Sequence, residues 1–141
     1  MKLNINTEGS PFKISSRLIT VLEKSLKDSL QDLEKTDQLV FVFKDEDYSA
    51  ENGGFHPVEI RLVKEGSDWF FDYITDFCFV GNGYDADLVK EIDFDFTNGY
   101  GFHLYSGECE LKKLSELYKI WEGNFISYVA MDVFTVKISL T

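Results

Sequence analysis

His56 stands beside Pro57 at the mouth of a run that alternates apolar and charged residues, and its imidazole is the side chain here best suited to moving a proton near neutral pH. With a carboxylate such as Glu59 or Asp76 nearby to orient the ring and raise its basicity, His56 could serve as a general base. The plainer reading is a histidine that anchors the glycine loop 52–54 by hydrogen bonding. Glu59, Arg61, Asp72 and Asp76 are expected on one face of a hairpin, where with Tyr48 and His56 they could bind a small polar ligand. Ladders of cross-strand charge pairs on a solvated face are the commoner use of such residues.

Other motifs fail on their chemistry. Gly81-Asn-Gly-Tyr-Asp-Ala86 matches a dinucleotide-binding fingerprint, but the helix expected after it is short, and Asp85 and Asp87 would repel a pyrophosphate at its start. Asp45-Glu-Asp-Tyr-Ser49 begins like a calcium loop, yet Ala50 and His56 stand where glycine and glutamate are required. His103 has no cysteine or carboxylate at a metal or triad spacing, and no serine sits in a nucleophile elbow. Cys78 and Cys109 lack metal spacing and read as two thiols in a reducing cytosol. No metal and no cofactor is expected.

Charge is segregated along the chain. Residues 45–110 hold 16 Asp and Glu against Arg61, Lys64 and Lys90, a net of −13, while 1–44 and 111–141 each sum to +1, giving −11 over 141 residues. Such a field disfavours nucleic acid and anionic lipid and favours a cationic protein. Asp85, Asp87, Asp93 and Asp95 are the expected acidic face for that partner.

The elements that must position these groups are legible in the periodicity. Ile14, Leu18, Val21, Leu22, Leu26, Leu30 and Leu33 recur at steps of three and four, so a helix is expected over roughly 15–35 with Ser15 or Ser16 as N-cap. Leu39–Phe43 reads as a buried strand, and Val58, Ile60 and Leu62 alternate with Glu59 and Arg61 in the next. Gly66-Ser67 fits a two-residue hairpin turn into a long strand, Trp69–Val80, whose odd-numbered face is expected to be buried. That register sets Val58, Ile60 and Leu62 opposite Thr75, Tyr73 and Phe71, and Arg61 opposite Asp72. A helical turn over 85–90, a strand through Ile92, Phe94 and Phe96, and a hairpin partner over 100–105 follow. Leu111, Leu114, Tyr118, Trp121, Phe125 and Tyr128 then predict a second helix, and Phe134–Leu140 a closing strand. The expectation is one α+β domain over 1–141, an antiparallel sheet flanked by an N-terminal and a C-terminal helix. No apolar stretch approaches the roughly 20 residues of a membrane span, so a cytoplasmic protein is expected.

The block Tyr48-Ser-Ala-Glu-Asn-Gly-Gly-Phe-His-Pro-Val-Glu-Ile-Arg-Leu62, with Tyr73-Ile-Thr-Asp-Phe77, Asp93-Phe-Asp-Phe96 and Trp121-Glu-Gly-Asn-Phe125, closely resembles the bacterial domain of unknown function 2787 over nearly the whole chain. The resemblance implies a fold similar to the mitochondrial acidic matrix protein family, the complement globular-head-binding proteins. That family's subunits are acidic, assemble as ring-shaped trimers and act by binding.

Two functional classes stand against each other: a non-enzymatic acidic protein that recognises a cationic partner, as monomer or symmetric homo-oligomer, and a small-ligand-binding protein or enzyme with a pocket around Tyr48, His56, Glu59, Arg61 and Asp76. A flat acidic face favours the first, and a pocket converging on His56 favours the second.

Overall fold

The computed structural model describes residues 3–27, 33–81 and 83–140. Among them the chain runs α1 (Ser16–Lys27), β1 (Gln38–Lys44), β2 (Val58–Glu65), β3 (Asp68–Val80), β4 (Asp87–Asp95), β5 (Tyr100–His103), β6 (Gly107–Glu110), α2 (Ser115–Ala130) and β7 (Thr135–Ser139). The strands form one open antiparallel sheet in the order β6-β5-β4-β3-β2-β1-β7. The fold is α+β, as the periodicity predicts.

Ser15 caps α1, its hydroxyl accepting the Arg17 amide at 3.1 Å. Leu18, Leu22 and Leu26, one turn apart, are fully buried. The first helix expected to residue 35 is described as far as Lys27; Leu30 lies outside the described residues, and Leu33–Lys35 forms a 3-10 turn. On α2, Tyr118, Trp121 and Phe125 point inward. The Tyr118 hydroxyl donates to Glu122 at 2.6 Å, and the same carboxylate oxygen accepts the Ser15 amide at 3.1 Å, so the two helices are tied together. Phe12 stacks on Tyr118 at 4.6 Å, Phe125 meets Phe43 edge-on at 5.0 Å, and Trp121 meets Phe94 at 5.9 Å.

Two β-bulges shape the sheet. The Gly66-Ser67 turn, with Gly66 at φ 64°, sets Glu65 opposite Asp68 and Leu62 opposite Phe71 as expected. Arg61 then pairs with Tyr73, which makes Asp72 an extra residue. Beyond it the faces exchange: Ile60 lies opposite Ile74 and Val58 opposite Asp76, instead of Tyr73 and Thr75. Trp69 and Phe71 are therefore buried on the odd side, but Ile74 and Cys78 are buried on the even side, with Tyr73 and Phe77 half-buried. The expectation that the odd face is buried along the whole strand is corrected by that single residue. The second bulge lies in β4, where Asp76 pairs with Ile92 and Phe77 with Lys90, leaving Glu91 extra.

Two further corrections concern weak signals. Residues 87–90, expected as a helical turn, pair with Val80–Phe77 as the start of β4, and only Gly83–Asp85 is 3-10. β6 was not anticipated, because Gly-Glu-Cys-Glu offers no apolar alternation; it forms by pairing with β5. No helix among the described residues is long and apolar enough to cross a membrane.

Candidate functional site

The loop from β1 to β2 delivers His56 to the helix-covered side of the sheet. Asp45 holds it in shape: one carboxylate oxygen accepts the Asp47 amide and the other the Phe55 amide, each at 3.0 Å. Ser49 and Gly53 exchange backbone hydrogen bonds of 3.0 and 3.2 Å. Gly54, at φ 136°, lies so close to Asp45 and Tyr48 that a Cβ would approach both within 2.9 Å. Tyr48 anchors the loop to β3, its hydroxyl accepting the Phe79 amide at 2.9 Å and its ring lying 5.4 Å from that of His56. Burial pushes the Tyr48 hydroxyl pKa up. The glycine loop is thus held by Asp45, Ser49 and Tyr48, and the His56 ring points to carboxylates.

His56 Nδ1 lies 2.9 Å from Asp76 Oδ1 and 2.7 Å from Glu91 Oε2. The hydrogen bond to Asp76, helped by the charges of Asp76 and Glu91, raises the His56 pKa against the opposing effect of burial. Asp76 is held from behind by the Trp121 indole, whose Nε1–H donates to Oδ2 at 3.1 Å. Glu91 joins the cluster because it is the bulge residue of β4. Cys78, one strand pair along, is a free thiol whose pKa is raised by burial and by the same two carboxylates.

A cavity of about 310 Å³ opens between α2, the loop and the sheet. Its polar end is His56 and Asp76; its walls include Val58, Ile92, Trp121 and Phe125, with Ile120 and Asn124 at an exposed rim. A volume of this size is at the lower end for small-molecule sites.

The expected constellation is divided by the sheet. Tyr48, His56 and Asp76 come together on the helix side, whereas Glu59, Arg61 and Asp72 lie on the outer face. There Arg61 donates to Asp72 and, at 2.6 Å, to Gln38; Tyr73 donates to Glu59; and Thr97 donates to Asp72. Arg61 meets Asp72 as the hairpin register implied, although its backbone partner is Tyr73. Burial and the Glu59 carboxylate push the Tyr73 pKa up. Glu59, offered as a partner for His56, is committed to Tyr73.

Of the four acidic-face residues, Asp85 and Asp87 are exposed, next to a fully exposed Tyr84. Asp93 accepts from the Thr75 hydroxyl at 2.6 Å, and Asp95 caps the following turn by accepting the Asn98 amide at 3.0 Å.

Glu91 and Trp121 were not among the candidate site residues. Trp121 carried the signal of a buried helix stripe, which says nothing of its indole N–H. Glu91 had one signal: counting back from Phe94 and Ile92 by twos puts Lys90 on the buried side, and an extra residue removes that conflict.

Residues 16–139 match the family model described as a protein of unknown function, DUF2787. A hypothetical protein from the VSP-II pathogenicity island of Vibrio cholerae has a similar structure, with 36% identity and a TM-score of 0.89 over 99% of this chain and 100% of that one. A conserved hypothetical protein from Vibrio cholerae pathogenicity island VPI-2, which shares structural homology with the human P32 protein, aligns with 35% identity and a TM-score of 0.79 over 91% of this chain and 95% of that one. No curated protein matches the chain.

Proposed function

Since the chain belongs to the DUF2787 family, whose function is unknown, we propose from the geometry of its own site that it acts by binding a small molecule. The observation that carries this reading is the cavity of about 310 Å³ whose apolar walls converge on His56 and Asp76. Its ligand has an apolar body that fits between Trp121, Phe125, Val58 and Ile92, and a polar head that meets His56 and Asp76. A Vibrio cholerae relative that shares homology with P32 supports a binding rather than a catalytic role at the level of the fold alone. The Cys78 thiol, which burial keeps protonated, adds no nucleophile to the imidazole.

The test uses a neutral fluorescent naphthylamine probe. The wild-type protein is expected to bind it saturably, and Asn124→Trp and Ile120→Trp, which fill the exposed rim without touching the buried core, are expected to weaken it at least tenfold. Binding unchanged by both rim substitutions would overturn the cavity reading.

A second reading, recognition of a cationic protein, is supported by the net charge of −13 over residues 45–110 and by the exposure of Asp85 and Asp87. Under it, capture of a basic model protein weakens with salt and with the pair Asp85→Asn and Asp87→Asn. Capture indifferent to both would dismiss it.

A further inference from the structure

We propose that His56, Asp76 and Glu91 form a binding site for a first-row divalent transition-metal ion at the polar end of the cavity. The inference deepens the reading above, since it rests on the same polar end, but it stands or falls on metal binding alone.

The argument begins with the number of groups that converge on one atom. Two carboxylate oxygens lie 2.9 and 2.7 Å from His56 Nδ1, on side chains only 13 and 24% exposed. Two carboxylates drawn together in a half-buried place are stabilised by a cation between them. A proton on Nδ1 supplies one, but a ring N–H points in a single direction and cannot align on both oxygens. A metal ion has no such restriction. Bonds of about 2.0 to 2.2 Å at right angles set neighbouring donor atoms about 3 Å apart, close to the two separations found here, and all three donor atoms lie within 4.8 Å of one another.

The surroundings supply what a metal site needs beyond its donors. The Trp121 N–H fixes one oxygen of Asp76, which leaves the other directed at the cluster. The β4 bulge aims Glu91 at it from the neighbouring strand. The three donors come from the loop, β3 and β4, so the site is made by the tertiary fold and not by a local motif. One imidazole with two carboxylates suits manganese, iron, cobalt or zinc better than magnesium or calcium, which take oxygen donors, and better than soft copper(I). Three protein donors leave coordination positions open, and an oxygen atom on the head of the cavity's ligand would occupy one.

The experiment uses the full chain, free of any histidine tag and stripped with a chelator. Cobalt(II) is titrated in by calorimetry, and proton NMR follows the imidazole resonances of the chain's two histidines. The expected result is one saturable equivalent that broadens or shifts His56 and leaves His103 unmoved. Glu91→Gln and His56→Gln, each checked for folding by circular dichroism, are expected to weaken binding at least tenfold, while His103→Gln leaves it unchanged. No saturable binding, binding insensitive to Glu91→Gln, or displacement by equimolar magnesium would overturn the proposal and leave a protonated His56 as the cation between the carboxylates. Naphthylamine binding measured on Glu91→Gln keeps the two readings apart: retained probe binding with lost cobalt binding supports the metal site, and retained binding of both rejects it while the cavity stands.

Discussion

On the outer face of the sheet, Arg61 is shared by Asp72 and Gln38, Thr97 donates to Asp72, and Tyr73 donates to Glu59. On the helix-covered face, Asp76 and Glu91 crowd one nitrogen of His56 beneath Trp121, at the end of a cavity. Both regions draw a carboxylate from β3, Asp72 and Asp76, four residues apart. The outer groups pair donor with acceptor across neighbouring strands. The inner groups have more acceptors than one imidazole can serve, beneath the Trp121 ring. Matched pairing is what a surface ladder needs for stability, and mismatched pairing beside a cavity is what a binding site retains for a guest.

The contrast can be broken first through its roof. Trp121→Ala is expected to cost roughly 3 to 5 kcal/mol, since Trp121 is buried against Phe94 and Phe125 and lends its N–H to Asp76. Urea unfolding measures it, and a mutant as stable as wild type would mean that α2 is not held by this residue. Asp76→Asn is expected to cost about 1.5 to 3 kcal/mol, because it weakens charge-assisted hydrogen bonds from both Trp121 and His56. The same denaturation experiment reads it, and a loss no larger than that of an outer-face substitution would erase the distinction drawn between the faces.

Arg61→Ala is the outer-face counterpart, with an expected loss of about 0.5 to 1.5 kcal/mol from its part-buried hydrogen bonds to Asp72 and Gln38 and no change in naphthylamine affinity. A large loss of probe binding on this substitution would show that the faces communicate. The smallest effect is in pH. The folded His56 pKa is raised above its unfolded value of 6.5, so in chelator-treated protein its contribution to stability is fully present below that pH. It fades as pH rises through the folded pKa. The melting temperature of wild type should therefore exceed that of His56→Gln by most near pH 5.5 and converge with it in mildly alkaline buffer; a gap that widens with pH would reverse the assignment.

The hairpin register was legible near its turn, since Gly66-Ser67 fixes where Glu65 meets Asp68. It was not legible past Leu62, because five of the six aromatic residues of Trp69–Val80 are odd-numbered, so the pattern reads as one unbroken buried face and hides the bulge at Asp72. The nearness of His56 to Asp76 was one of two options read from sequence, and the choice against Glu59 turned on that same parity. Glu91 fell outside the reading, for a residue that belongs to a bulge matches no period. β6 was illegible because Gly107–Glu110 carries no apolar pattern and exists by pairing with β5.

Asp72 acts on β3 as the start position acts on a reading frame. Paired as an ordinary strand residue, it would send every side chain after it to the other side: Tyr73, Thr75 and Phe77 would turn toward the helices, and Asp76 would leave both His56 and Trp121 for the outer face. Deleting it would join Phe71 to Tyr73 in a regular ladder and keep the later pairings, Arg61 with Tyr73 and Ile60 with Ile74, so both surfaces would keep their contents. Removing two residues there would instead turn Asp76 to the outer face. A relative that has lost one residue at this point therefore keeps the site, and one that has lost two must have lost it or restored the count before Asp76.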